Sequence, residues 1–233
     1  IRGPRGTVAR LLVQRQGIEE PFIVAVKRAK VELPNLEARI LDGNVAYLRI
    51  AEFNALSANQ VRSALRELLT SQPVGIVLDL RDNPGGYLQM AIEVASEFLP
   101  RGAVIVQEQE RDKPIRERTV QKNGLATDLP LVVLVNEGSA SASEIVAGAI
   151  QEDGRGILVG MPTYGKGSVQ LTHTLQDGSS LRVTIAKWLL PSGRNLDGDG
   201  IAPDIEAPVI AEDIVAGRDP QLERAVEFLL GKG

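Results

Sequence analysis

The sequence predicts an α/β domain built from repeated units of a strand, a tight turn and a helix. Two short apolar runs, 75–80 (GIVLDL) and 129–136 (LPLVVLVN), are typical of strands that are buried on both faces. The first is followed by the turn RDNPGG (81–86) and the second by EGSAS (137–141), a turn of small residues, and each turn leads into apolar residues at helical spacing. Strands and helices that alternate in this way form parallel sheets, and the turns at the carboxyl ends of the strands build the site.

Composition excludes several functional classes. The chain has 233 residues, 43% of them hydrophobic, which is enough for one large domain or for one domain and a fragment of another. Its net charge of −4, scattered basic residues and 3% aromatic content argue against a nucleic-acid partner. The absence of cysteine excludes disulfides, thiolate metal ligands and a thiol nucleophile. No apolar stretch approaches the roughly 18 residues of an integral membrane segment.

The first 33 residues are expected to be separate from the rest. The stretches 7–15 and 22–31 are rich in Val, Ile and Leu and predict two strands. The following ELPNLEARI indicates a change of segment near Pro34. We therefore divide the chain into 1–33, a short region of strands and linker, and 34–233, the main domain.

The main domain is predicted to alternate between strands and helices along its whole length. Ser57 precedes Val61, Leu65 and Leu68 at helical spacing and is expected to be a helix N-cap. The Asp177-Gly178 pair is expected to be the turn of a β-hairpin. In order, we predict a strand at 45–53, a helix at 57–71, a strand at 75–80, a helix at 87–99, a strand at 129–136, a helix at 142–152, a strand at 156–160, the hairpin at 168–188 and a closing helix at 219–230.

A glycine-rich turn at 160–168 (GMPTYGKGS) nearly matches the phosphate-binding pattern G-x-x-x-x-G-K-[ST]. Gly160, Gly165 and Lys166 have the required spacing, but Gly167 occupies the position of the metal-binding hydroxyl. The residues that follow alternate as in a strand, whereas a phosphate loop opens a helix. These two departures argue against a phosphate-binding loop.

No metal or cofactor site is expected. The DGDG stretch at 197–200 has the Asp-x-Asp spacing of a calcium loop, but its twelfth position is Pro208 and not a bidentate glutamate. His173 is the only histidine, and within the predicted hairpin it is expected to face solvent. Both features are therefore interpreted as ordinary turn and strand residues.

Three serines alternate in VNEGSASASEIVAGAI, at the turn between a predicted buried strand and a predicted helix. A nucleophilic hydroxyl is most effective at such a turn, because the backbone N–H groups of the first helical turn can stabilise the oxyanion that its attack creates. Ser141 and Glu144 also fit the capping box S-x-x-E, so Ser141 could instead be an N-cap. From the residues alone, both interpretations of Ser141 remain open, and Ser139 and Ser143 are interpreted as small turn residues.

A serine nucleophile needs a base, and Lys166 is the most interesting candidate. It lies among Met161, Pro162, Tyr164 and two glycines, where poor solvation would favour the neutral amine. The alternative is an ordinary solvated lysine in a turn. Because side chains alternate along a strand, Lys166, Ser168 and Gln170 are expected to share one face. The Gln170 amide oxygen could then orient the lysine nitrogen, or this could be an ordinary polar strand face.

Four stretches closely resemble the C-terminal processing peptidases, also called tail-specific proteases: DLRDNPGG, NEGSASASEIVAGAI, GMPTYGKGSVQ and LPSGRNLDGDGIAPDIE. The resemblance covers about residues 34–210, in the family's order. It implies a serine protease with a Ser-Lys dyad, on a core like that of crotonase and the Clp protease. Residues 1–33 resemble the last strands of the PDZ domain that is usually inserted in this family, and the part that carries its carboxylate pocket is not in this chain.

The resemblance also implies a role for each site residue. The second serine of the motif, Ser141, would be the nucleophile, and Lys166, 25 residues later, the general base. Gln170, four residues after the lysine, would support it. The backbone N–H groups of Ala142 and Gly86 would form the oxyanion hole, and neither a metal nor a cofactor would be needed.

The expected function is therefore a serine endopeptidase that cleaves protein or peptide substrates with unstructured C-termini. Members of the family act mostly in the bacterial periplasm or cell envelope, or in the thylakoid lumen, so export is expected. The sequence leaves homo-oligomer formation open. Two other functions remain alternatives: an inactive ligand- or peptide-binding protein on the same fold, and a crotonase-like acyl-CoA enzyme. Both leave the combination of Ser141, Lys166 and Gln170 unexplained.

Overall fold

The computed structural model describes residues 1–15, 17–29 and 34–231. The chain divides into two compact units, Ile1–Pro34 and Asn35–Gly233. In the first unit, β1 (Val8–Val13) pairs with the antiparallel strand β2 (Phe22–Lys27), and Leu11 lies opposite Val24. The predicted strands at 7–15 and 22–31 are therefore present but shorter, and residues 30 and 31 lie outside the described ranges.

The second unit contains strands and helices in a mixed α/β order, which confirms the predicted fold class. Its strands are β3 (Leu36–Leu41), β4 (Val45–Ile50), β5 (Gly75–Asp79), β6 (Val104–Glu110), β7 (Arg116–Thr119), β8 (Leu131–Val135), β9 (Ile157–Gly160), β10 (Ser168–Thr174), β11 (Ser180–Leu189) and β12 (Ile205–Glu206). Its helices are α1 (Ser57–Leu68), α2 (Leu88–Ala95), α3 (Ala142–Glu152), α4 (Ala211–Ala216) and α5 (Pro220–Leu229), and a 3₁₀ turn, Leu69–Ser71, follows α1.

A six-stranded sheet in the order β12-β9-β8-β5-β4-β3 forms the centre of this unit. All its neighbouring strands are parallel except β3 and β4. Alternate residues of the buried strands point to opposite faces, so that Leu78 packs in the core with α1, α2 and α3, whereas Val77 packs on the other face with α5. The sheet is therefore covered by helices on both faces, as its continuous apolar strands predicted.

A second, antiparallel sheet has the order β10-β11-β6-β7. Its β10-β11 hairpin confirms the predicted hairpin around Asp177-Gly178, with Thr174 opposite Ser180. The sequence analysis did not predict β3, β6, β7, β12 or α4. The strand β6 is short of apolar residues in its second half (QEQE), which explains why a search for apolar runs missed it.

The predicted N-cap at Ser57 is wrong, since Ser57 is itself the first residue of α1. Its buried hydroxyl donates to the carbonyl oxygen of Glu52 (2.9 Å) and contacts the side-chain oxygen of Asn54 (3.3 Å). The Asn54 side-chain oxygen accepts the N–H of Leu56 (2.9 Å) and so closes the turn before the helix. The predicted helix 87–99 is also shorter, because α2 ends at Ala95.

A buried network of charged groups ties α5 to the end of β5. Asp79 is 1% exposed and receives hydrogen bonds from the Tyr47 hydroxyl (2.7 Å) and from Arg81 Nη2 (2.6 Å). Arg81 also donates to both oxygens of Asp219, the N-cap of α5, at 2.8 and 2.9 Å. Burial raises the pKa of the Tyr47 hydroxyl, and the charge of Asp79 raises it further, so Tyr47 stays a neutral donor. Arg81 thus holds two carboxylates beside the turn that follows β5.

Replacing Arg81 by alanine is expected to lower the free energy of unfolding by about 3 to 5 kcal/mol, because it leaves the buried Asp79 carboxylate without its cation. Urea denaturation followed by circular dichroism measures the loss. Arg116→Ala is the matched control, since Arg116 is exposed on β7, and it is expected to change stability by less than about 0.5 kcal/mol. Equal losses in the two variants would show that the Arg81 network does not hold the fold together.

Candidate active site

Three turns meet at one edge of the central sheet. They follow the neighbouring parallel strands β5, β8 and β9 and span 81–86, 137–141 and 161–167. The carboxyl ends of parallel strands lie at the same edge, which is where α/β proteins place their sites. The structure therefore brings together the three turns that the sequence singled out.

Ser141 lies at the tight turn between β8 and α3, as the residue just before the helix. Its backbone has φ 58° and ψ −114°, a conformation that is costly for any residue except glycine. Ser141 is the N-cap residue of α3 and is only 7% exposed, but its hydroxyl accepts no capping hydrogen bond from the helix. A strained turn whose hydroxyl is not used in capping suits a nucleophile at this position.

The neighbouring serines differ from Ser141 in that their hydroxyls are committed to the backbone. The hydroxyl of Ser139 donates to the carbonyl oxygen of Leu80 (2.8 Å), and that of Ser143 donates to the carbonyl oxygen of Asn83 (2.9 Å). Both serines are fully buried. They join the turn after β8 to the turn after β5, in keeping with their interpretation as small turn residues.

The two predicted oxyanion donors have N–H groups that are not used within the described part of the chain. Ala142 is the first residue of α3, where an N–H has no partner inside the helix. In the glycine pair, the N–H of Gly85 donates to the side-chain oxygen of Asn83 (2.9 Å), which leaves the N–H of Gly86 as the available one. This difference between the two glycines supports Gly86 as the donor.

Glycine is required at both positions because the backbone approaches too closely for a side chain. A Cβ on Gly85 would lie 2.8 Å from the Ala140 carbonyl oxygen and 2.8 Å from Ser141 Cβ. A Cβ on Gly86 would lie 2.2 Å from the Phe53 carbonyl oxygen, and Gly86 also has φ +138°. The turn after β5 thus packs directly against the Ser141 turn.

Glu144 joins the serine turn to the lysine turn through four hydrogen bonds. The side chain is fully buried, and one of its oxygens accepts the backbone N–H groups of Ser141 (2.8 Å) and Lys166 (2.9 Å). The other oxygen accepts the Thr163 hydroxyl (2.6 Å) and the N–H of Gly165 (2.7 Å). The bond to the Ser141 N–H is the glutamate half of the capping box that the sequence suggested. The sequence analysis missed the bonds to the lysine turn, because no local pattern reports contacts over about 20 residues.

Replacing Glu144 by glutamine is expected to lower kcat/KM for peptide cleavage by about tenfold or more. The amide NH₂ group of the glutamine would face the backbone N–H groups of Ser141 and Lys166, and it cannot accept hydrogen bonds from them. The spacing between the two turns would therefore change. A melting temperature close to that of the wild-type chain would show that the loss comes from altered alignment and not from global unfolding. Glu93→Gln, at an exposed site on α2, is the matched control and should retain wild-type activity. Wild-type activity in Glu144→Gln would contradict a positioning role.

Lys166 lies at the exit of the glycine-rich turn, directly before β10. The expected apolar enclosure is not present, since Lys166, Pro162 and Tyr164 are exposed, Tyr164 to 66%. The Glu144 carboxylate holds the Lys166 backbone through the Lys166 N–H, while the residue as a whole is exposed. Within the described ranges, the Lys166 amine makes no hydrogen bond of 3.5 Å or less with Ser141. The structure therefore shows the two residues on adjoining turns but not engaged with one another.

The side chains of Lys166, Ser168 and Gln170 line a common recess of about 520 Å³, as the strand alternation predicted. This active-site recess is bounded on its other side by residues of the turns after β5 and β8. Its lining is Pro84, Glu137, Gly138, Ala140, Tyr164, Gly165, Lys166, Ser168, Gln170, Arg182 and Asp197. Gln170 is exposed on β10, opposite Thr184 of β11.

The structure also places the other motifs. The turn at 161–167 leads into the strand β10 and not into a helix, unlike a phosphate-binding loop. The Asp197 carboxylate accepts the N–H of Gly167 (3.1 Å), and His173 is exposed on β10.

In the described ranges, no group of three or more His, Cys, Asp and Glu side chains is placed to hold a metal ion. None of the helices in the same ranges is long and apolar enough to cross a membrane.

Several curated relatives are named carboxyl-terminal processing proteases. The chain is 37% identical over 99% of its length to the "Carboxyl-terminal-processing protease" of Synechocystis sp., and covers 55% of that protein. It is 36% identical over 88% of its length to the "Carboxy-terminal processing protease CtpB" of Bacillus subtilis, and covers 43% of it. It thus spans about half the length of the curated relatives that it matches.

Solved structures show the same likeness. The "Photosystem II D1 C-terminal processing protease" matches with a TM-score of 0.73 and 30% identity, over 88% of this chain and 56% of that one. The tricorn protease, at 16% identity and a TM-score of 0.60, shares the fold. Residues 44–207, which include all three turns of the site, match the model of peptidase family S41. The chain therefore belongs to peptidase family S41.

Proposed function

We propose that this chain is the catalytic part of a serine endopeptidase that cleaves protein substrates near their C-termini. The observation that carries this proposal is Ser141 on a strained turn directly before α3, together with the unused backbone N–H groups of Ala142 and Gly86 in the turns that meet there. Family membership and the printed names of the relatives support the reaction type.

In the proposed mechanism, the Lys166 amine takes the proton of the Ser141 hydroxyl while the serine oxygen attacks the scissile carbonyl carbon. The carbonyl oxygen becomes an oxyanion that the N–H groups of Ala142 and Gly86 stabilise. When the C–N bond breaks, Lys166 donates the proton to the leaving amine. Water then attacks the acyl-enzyme while Lys166 takes a proton from it. Lys166 returns this proton to the Ser141 oxygen as the acyl–oxygen bond breaks, which releases the carboxylic acid product and restores the serine hydroxyl and the neutral amine.

The Lys166 side chain must move for this chemistry, because it is exposed and not bonded to Ser141. Its long aliphatic stem permits rotation within the active-site recess toward Ser141, while the Glu144 carboxylate holds the Lys166 backbone in place. The Gln170 amide oxygen, in the same recess, would then accept a hydrogen bond from the amine and orient it. Binding of substrate would favour the engaged arrangement by excluding water from the recess.

The proposal also covers the two domains, the cellular compartment and the substrates. We interpret residues 34–233 as a peptidase domain with a crotonase- and Clp-like core, and residues 1–33 as the last strands of a PDZ-like domain and linker. One relative comes from Synechocystis sp. and another is named as chloroplastic, and both support an exported or lumenal protein. In a bacterium, the corresponding compartment would be the periplasm or the cell envelope. The substrates would be proteins with unstructured C-termini, which can enter an open recess as extended chains.

Incubation with an unstructured polypeptide, followed by mass spectrometry of the fragments, tests the function. Cuts close to the C-terminus are expected with the wild-type chain and none with Ser141→Ala. Cuts that persist unchanged in Ser141→Ala would contradict the proposal. An absence of cleavage, combined with peptide binding, would favour the alternative of an inactive binding protein on the same fold.

A further inference from the structure

Arg182 is a cation of the active-site recess that the proposed mechanism does not use. It lies on β11, opposite Thr172 of β10, and lines the same recess as Lys166 and Gln170. Its neighbours along β11, Leu181 and Val183, point to the other face of the hairpin, because side chains alternate along a strand. Arg182 therefore faces the proposed site, although it is 16 residues beyond Lys166 in the chain.

The charge of Arg182 is not neutralised within the described part of the chain, where no carboxylate oxygen lies within 4.0 Å of its guanidinium. The recess has two acidic residues, Glu137 and Asp197, and the Asp197 carboxylate already accepts the N–H of Gly167. Apart from Lys166, Arg182 is the one cation among the residues that line the recess. Its guanidinium N–H groups, which no carboxylate of the described residues engages, are available to donate hydrogen bonds to an anionic group of the substrate.

The mechanism indicates which part of the substrate reaches Arg182. The base that protonates the leaving amine must lie on the leaving-group side of Ser141, so the segment after the cut lies on the Lys166 side. From Lys166, the recess continues along β10 past Gln170. Thr172, the cross-strand partner of Arg182, is six residues beyond Lys166. At about 3.3 Å per residue, the distance along the strand from Lys166 to Thr172 is at most about 20 Å.

We propose that Arg182 binds the C-terminal carboxylate of the substrate and so selects chain ends that lie no more than about six residues beyond the cut. This proposal rests on the proposed peptidase function. A carboxylate matches the planar guanidinium, which can donate two parallel hydrogen bonds. Every unmodified protein has this group at its C-terminus, so Arg182 would restrict cleavage to the ends of chains without reading the sequence of the side chains.

The test uses one unstructured peptide of about ten residues with uncharged side chains, made as the free acid and as the C-terminal amide. Fluorescence anisotropy measures its binding to Ser141→Ala, which cannot turn it over. The free acid is expected to bind about 3- to 10-fold more tightly than the amide, less so at high salt. Adding Arg182→Gln should reduce this preference to about one. Arg116→Gln, at an exposed arginine on β7 outside the recess, is the matched control and should preserve it.

Equal binding of the acid and the amide to Ser141→Ala, or a preference that persists in Arg182→Gln, would overturn the role of Arg182. Cleavage of the free-acid peptide by the wild-type chain is measured separately. If cleavage depends on Ser141 but the acid is not preferred, the carboxylate site is wrong and the peptidase function stands. If the acid is preferred but is not cleaved, the carboxylate site stands and the peptidase function is wrong.

Discussion

Replacing Ser141 by alanine is expected to abolish peptide cleavage, with a loss in kcat/KM of about a thousandfold or more. The substitution removes only the hydroxyl oxygen, which no side-chain hydrogen bond ties to α3, so the fold loses little. The backbone N–H groups of Ala142 and Gly86 remain, and substrate binding should persist. The expected signature is therefore lost turnover with retained affinity, measured with a quenched fluorescent peptide and by anisotropy.

Ser179→Ala is the control for this experiment, because Ser179 lies in the exposed turn between β10 and β11. It should retain wild-type kcat/KM. If Ser141→Ala cleaved the peptide at the control's rate, another group would have to be the nucleophile and the assignment of the turn after β8 would be wrong.

Replacing Lys166 is expected to cause a loss of similar size, and arginine should not rescue it. Lys166→Ala removes the base, whereas Lys166→Arg retains a cation that cannot become neutral in water. If charge alone mattered, arginine would restore activity, and if a neutral amine is needed it would not. For the wild-type chain, kcat/KM should rise with pH, since only the deprotonated amine can accept the Ser141 proton.

Lys122→Ala is the matched control, since Lys122 is an exposed lysine away from the three turns, and its pH profile should coincide with that of the wild type. Substantial activity in Lys166→Arg, or a pH profile that does not change on substitution of Lys166, would indicate a different base. Stopped assays at several pH values with one peptide are sufficient for the comparison.

The sequence predicted the central elements well, because their patterns are local. The apolar runs of β5 and β8 and the helical spacing of α3 are each contained in a few residues, and α3 was predicted with its observed bounds, 142–152. The strand β6 ends in QEQE and pairs with residues 76 to 82 positions away in β11. Such a strand is stabilised by its partners and not by its own pattern, so a single sequence gives little sign of it.

For the candidate site, local pattern and resemblance together identified the residues but not their arrangement. Turn chemistry indicated the site and the resemblance selected Ser141. The structure adds that the Ser141 hydroxyl accepts no capping hydrogen bond, while the hydroxyls of Ser139 and Ser143 are bonded to the backbone. The expected apolar surroundings of Lys166 were wrong, because the composition of a turn does not determine whether its side chain points inward. The bridge from Glu144 to the lysine turn arises only when β8 and β9 are neighbours in the sheet.

The central claim is that Ser141 is a nucleophile whose reactivity depends on Lys166, and intact-mass spectrometry after treatment with a serine-directed fluorophosphonate tests it most directly. The measurement requires no knowledge of the natural substrate. The account predicts a single adduct on the wild-type chain, located at Ser141 by peptide mapping, and an adduct rate reduced by at least about a hundredfold in folded Lys166→Ala. An adduct on a different residue, or a wild-type rate in Lys166→Ala, would contradict it.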